Sequence, residues 1–140
     1  MTSVDVLKSK ISEIEKYLQI VRKYQTFSKE KIFQDTTLLG AVERYLYLLC
    51  QGAIDFGEAV ISYQGLRAPS TYAEIFEILK EKKLISSETA LEMEKMAGFR
   101  NILAHAYGKV DFNIVYEVLT KDIAKIETFL KKIRNKLNLN

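Results

Sequence analysis

The stretch Asp35 to Ser62 reads DTTLLGAVERYLYLLCQGAIDFGEAVIS, and it decides the fold. Leu39, Val42, Leu46, Leu49, Ala53, Phe56 and Val60 recur at spacings of three and four, the period of one helix face. Leu38, Tyr45, Cys50, Ile54 and Ile61 widen that face beyond a single stripe, which predicts a helix at the centre of a bundle. Asp35 suits the N-cap because its short carboxylate can accept from an unpaired N–H of the first turn. Arg44, Gln51, Asp55 and Glu58 form a polar stripe along one side of this apolar element. That stripe is either a solvated face or a support in which Asp55 or Glu58 orients groups on a neighbouring helix.

The same period extends outward in both directions. Val4, Leu7, Ile11, Ile14, Leu18 and Val21 predict an amphipathic helix from residue 3 to about residue 25. Gly65 to Pro69 breaks the pattern, and Ser70 or Thr71 then caps a short helix carrying Tyr72, Ile75, Phe76 and Leu79. Thr71 and Glu74 are spaced as a capping box. Ser86 or Ser87 opens a fourth helix that ends at Gly108, and a fifth begins at Asp111. Val115, Leu119, Ile123, Ile126, Leu130, Ile133 and Leu137 carry the fifth to the end of the chain. The expected architecture is all-α: one domain over residues 1–140, an up-and-down bundle of about five helices.

Composition agrees with that architecture. One proline and six glycines in 140 residues leave little turn punctuation, and 48% hydrophobic residues are enough for a core. Cys50 is alone in an apolar run, which predicts a buried thiol in a reducing cytoplasm and argues against a disulfide framework or a zinc site. No apolar run approaches membrane-spanning length. A net charge of +3 is compatible with a polyanionic partner without demonstrating one, and the cations Lys131, Lys132, Arg134 and Lys136 also suit the last turns of a helix.

The chemistry-bearing motif is Arg100-Asn101-Ile102-Leu103-Ala104-His105-Ala106-Tyr107, which contains the only histidine of the chain. Histidine both takes and gives a proton near neutrality. Arginine offers fixed charge to a phosphoryl group that is gaining negative charge. At about 100° per residue, Arg100 and His105 lie roughly 140° apart and flank a face, with Ala97 and Ala104 between them as an expected groove floor. No set of carboxylates and histidines has metal-ligand spacing, and no glycine-rich phosphate loop occurs, so neither a metal nor a cofactor is expected.

Asp55-Phe56-Gly57-Glu58, Pro69-Ser70-Thr71-Tyr72, Met96 to Tyr107, and Val115-Tyr116 follow one another in the order and spacing of the HepT-like HEPN proteins. The chain resembles that family from about Leu38 to Ile133. The resemblance implies a metal-independent RNase toxin whose antitoxin is an MntA-like minimal nucleotidyltransferase. It further implies that Arg100, His105 and Asn101 form the catalytic set, with Asn101 at the polar position that follows the arginine, and that Tyr107 receives AMP from the antitoxin. A homodimer is expected, because one histidine per chain cannot serve as both proton acceptor and proton donor in a single step. The same residues also serve a non-enzymatic helical module whose groove docks a nucleotidyltransferase.

Overall fold

The computed structural model describes residues 2–105 and 110–139. Within them the chain forms α1 (Val4–Tyr24), α2 (Lys29–Gln34), α3 (Thr36–Tyr63), α4 (Tyr72–Glu81), α5 (Ser87–His105), α6 (Phe112–Glu117) and α7 (Ile123–Leu137), with a π turn at Val118–Asp122 between the last two. Five of these helices have ten residues or more, and they form the up-and-down bundle expected from the periodicity. The expected cap at Asp35 forms, with its Oδ1 accepting from the Leu38 N–H at 3.0 Å. α3 is the central element and packs against α1, α2, α4, α5 and α7. Its face from Val42 through Leu46, Leu49, Ala53 and Phe56 to Val60 is fully shielded from solvent.

Three local features depart from the sequence pattern. α2 is an additional short helix, capped by the Ser28 hydroxyl, which accepts from the Lys31 N–H at 3.1 Å. The fifth expected helix is divided by the π turn. Val115, Leu119 and Ile123 are spaced four and four, longer than the α period, and the wider turn keeps all three in the core. The side chain of Gln25, the C-cap of α1, donates to the Leu119 carbonyl at 2.8 Å and satisfies a group within the irregular turn. The capping box is also altered. Thr71 accepts from the Glu74 N–H at 3.1 Å, but the Glu74 carboxylate takes the Ser70 N–H and the Arg67 guanidinium, each at 3.0 Å.

Those last bonds fix the segment that delivers Tyr72. Gly65 closes α3 in the left-handed region at φ 66°, where a side chain would be strained, and the Leu66 N–H bonds the Ile61 carbonyl at 3.0 Å. Arg67 then bridges Glu74 and Glu81, at opposite ends of α4, at 3.0 Å each. Gly57 permits close approach of α4 to α3, since a Cβ there would lie 2.8 Å from Ile75 Cγ2. Tyr72 thereby starts α4 beside the polar stripe of α3.

Candidate active site

α5 buries an arc that includes Ala90, Met93, Met96, Ala97 and Phe99. Ala97 is 2% exposed and belongs to this arc, which corrects its expected place as a groove floor. It continues the row Ala90, Met93, Ala97 at spacings of three and four, the core-facing period. Arg100, three residues further, falls at the border of the arc and is half-buried against α3. Ala104 is half-buried and lines a surface hollow with Glu43, Arg44, Tyr47 and Leu103.

Arg100 is held from several sides. Its Nε donates to Gln51 Oε1 at 2.6 Å, one terminal nitrogen donates to Asn101 Oδ1 at 3.1 Å, and the other donates to the Tyr47 hydroxyl at 3.2 Å. The guanidinium carbon lies 5.2 Å from the ring centroids of both Tyr47 and Tyr72, within cation–π range. Gln51 is itself oriented. Its Nε2 donates to Asp55 Oδ1 at 2.8 Å, which turns Oε1 toward the arginine. A guanidinium carries five N–H donors, and three are used by these bonds. Among the described residues one N–H on each terminal nitrogen has no partner, and a guanidinium donor is suited to a phosphate oxygen.

Asn101 stands where the motif predicts, touching Arg100. His105 is the last described residue of α5 and is exposed. Tyr107 and Gly108, the expected modified residue and helix stop, lie outside the described residues. Neither carboxylate of the stripe meets the arginine directly. Asp55 acts through Gln51, because a residue four further along α3 is one turn beyond Arg100's level. Glu58, a further turn along, is exposed and lines a hollow with Pro69, Ser70, Thr71 and Tyr72. Tyr47 and Tyr72 are site residues that the linear motif on α5 does not contain. The signal for Tyr47 was its spacing of four from Gln51, which puts both on one face. Among the described residues no group of three or more His, Cys, Asp or Glu side chains is placed to hold a metal ion, and no helix is long and apolar enough to cross a membrane.

The model of the family described as Ribonuclease HepT-like matches residues 14–133. The chain belongs to the HepT-like ribonuclease family. It is 28% identical over 131 residues to an mRNA nuclease HepT of Shewanella oneidensis, covering 93% of this chain and 97% of that one. It is 24% identical over 139 residues to a tRNA nuclease HepT of Aphanizomenon flos-aquae, covering 98% and 95%. Its fold superposes with a TM-score of 0.85 and 25% identity on a tri-AMPylated Shewanella oneidensis HEPN toxin in complex with MNT antitoxin, covering 96% of this chain and 99% of that one. A toxin–antitoxin structure with AMP-PNP superposes at 0.86 and 25%, covering 94% and 98%. In the HepT-like family the motif on α5 acquires a chemical context that it lacks as an isolated pattern.

Proposed function

We propose that this chain is an endoribonuclease, the toxin of a toxin–antitoxin pair, in which Arg100 binds the scissile phosphate and His105 moves protons. The observation that carries the proposal is the fixing of Arg100 by Gln51, Asn101 and Tyr47, with one donor on each terminal nitrogen unpaired among the described residues, on the helix that also carries His105. The substrate's 2′-hydroxyl attacks the adjacent phosphorus. A 2′-O–P bond forms, the P–O5′ bond breaks, and the products carry a 2′,3′-cyclic phosphate and a 5′-hydroxyl. One imidazole accepts the 2′-hydroxyl proton and one protonates the leaving oxygen. Since each chain has one histidine, a two-fold dimer that brings two His105 side chains to one cleft supplies both roles. Asn101 shares the orientation of Arg100.

The partner in this reading is a nucleotidyltransferase antitoxin that attaches AMP to Tyr107. Support comes from the R-x4-H-x-Y spacing and from the family. The added phosphate is an anion that competes with the substrate for cationic charge. One folding unit and a reducing cytoplasm, in which Cys50 remains a thiol, complete the proposal.

Purified protein incubated with a labelled RNA pool in EDTA tests the reading. Cleavage lowered about 10²- to 10⁴-fold in His105→Ala, with the thermal midpoint unchanged, is the expected result. No cleavage together with tight binding of the nucleotidyltransferase overturns it in favour of a docking module. Co-expression with that enzyme should add AMP to the wild type but not to Tyr107→Phe, and the variant should escape silencing, as read by mass spectrometry and RNA cleavage. Equal silencing of both would replace modification by masking.

A further inference from the structure

Two hollows open at the rings that cover Arg100, and their chemistry differs. The one at Tyr47 measures about 320 Å³ and includes Arg44, whose guanidinium lies 5.4 Å from the Tyr47 ring centroid. The one at Tyr72 measures about 340 Å³ and is walled by Glu58, Pro69, Ser70, Thr71 and Tyr72. Tyr72 belongs both to this hollow and to the aromatic cover of the arginine. If Arg100 holds a phosphate, as in the reading above on which this inference rests, a strand leaving that phosphate toward Tyr72 meets Glu58. Its backbone is repelled there, because phosphate and carboxylate carry the same charge. A base edge is not repelled.

The wall is also built to keep its shape. Thr71 caps α4, Glu74 receives the Ser70 N–H, and Arg67 ties Glu74 to Glu81, so the rim from Ser70 to Tyr72 is held at several points. The rings of Tyr72 and Pro69 offer apolar surface to a flat ligand, and aromatic side chains stack on unpaired bases. Glu58 has no ion pair with a described residue, which leaves its two oxygens available as acceptors. Two parallel acceptors match an edge that presents two parallel N–H donors. Among the RNA bases that edge is guanine's, with N1–H beside the 2-amino group, whereas uracil presents one N–H between two carbonyls. We propose that the hollow at Tyr72 is a nucleobase subsite that seats a guanine next to the scissile phosphate, with Glu58 reading its Watson–Crick edge.

The test is cleavage-site mapping on a randomised RNA pool with wild type and Glu58→Gln. Wild type should favour guanine at one position flanking the cut, and Glu58→Gln should reduce that preference about tenfold or more, in line with the loss of a bidentate base contact. The thermal midpoint should stay near wild type, since Glu58 is exposed. No guanine preference, or one that survives Glu58→Gln, overturns the subsite while the nuclease reading stands. If the wild type cleaves nothing, the nuclease reading falls by itself, and the subsite is decided by binding. Guanosine 5′-monophosphate should shift the Tyr72 ring resonances more than uridine 5′-monophosphate does, and Glu58→Gln should abolish the difference. Equal shifts from both nucleotides overturn the proposal.

Discussion

Cys50 and Gln51 are neighbours on α3, yet one faces the core and the other holds a charge at the surface. On the Cys50 side, Phe56 meets Phe129 at 6.2 Å and 77°, and Phe129 meets Phe76 at 5.4 Å and 80°, ring edge to ring face. These contacts depend on shape and volume. On the Gln51 side, Tyr47, Gln51 and Asp55 are spaced at four residues, and the contacts are directional hydrogen bonds to one guanidinium and its support. The first face anchors the helix and the second uses that anchorage. A donor placed to within tenths of an ångström requires a backbone that does not move, which the buried face provides.

Breaking the buried face should have the larger effect. Phe129 is fully buried and joins α3 and α4 through the two edge-to-face pairs, so Phe129→Ala should cost about 3–5 kcal/mol. The thermal midpoint should fall by roughly 10 °C or more, measured by circular dichroism. RNA cleavage measured well below the new midpoint should survive, because the ring partners of Phe129, Phe56 and Phe76, lie outside the site. A midpoint within two or three degrees of wild type would show that the surrounding side chains close the cavity, and that the rigid anchor lies elsewhere in the core.

The buried face was also the more legible one. The rows Leu39 to Val60 and Leu7 to Val21 predicted both long helices to within a residue or two, because an apolar period of three and four has one dominant physical meaning. The site was only half legible. Arg100, Asn101 and His105 stand out in a linear motif, but Gln51 and Tyr72 act on Arg100 from other helices, and no linear pattern carries that proximity. Ala97 misled for a related reason. A small residue beside a polar motif reads as open space, and only the neighbouring helices decide whether that space is filled. The π turn was hidden in the same way, since the spacing of four and four from Val115 to Ile123 could also be an α-helical stripe drifting out of the core.

A smaller effect is expected from the site face, and it sharpens the contrast. Gln51→Ala removes the acceptor for Arg100 Nε and frees the guanidinium to rotate, so kcat should fall about tenfold while KM changes less. Stability should shift by no more than about 1 kcal/mol, the usual net value of a hydrogen bond. Gln51→Glu keeps an acceptor for Nε and should retain more activity than the alanine variant. If both variants match wild type in kcat, the tyrosine rings and Asn101 alone position the arginine.

The smallest effect at neutral pH belongs to Cys50, one residue away on the buried face. Burial, with a further contribution from the Asp122 charge, pushes its thiol up to about 12. An unfolded thiol ionises near about 8.5. Below that value both states keep the proton and the shift has no consequence for stability. Between about 8.5 and 12 the unfolded chain loses a proton that the folded chain retains, so stability falls as pH rises, by about 1.4 kcal/mol per unit at most. Lysines and tyrosines titrate in the same window, so the comparison is the difference in unfolding free energy between wild type and Cys50→Ala. That difference should be flat from pH 6 to 8 and should then shift against the wild type above pH 9. A difference that stays flat to pH 10.5 would mean that the folded thiol ionises as readily as an exposed one. The Cys50 face would then be wet, and the division of α3 into a dry anchoring side and a polar working side would fail at the point where the two sides are closest.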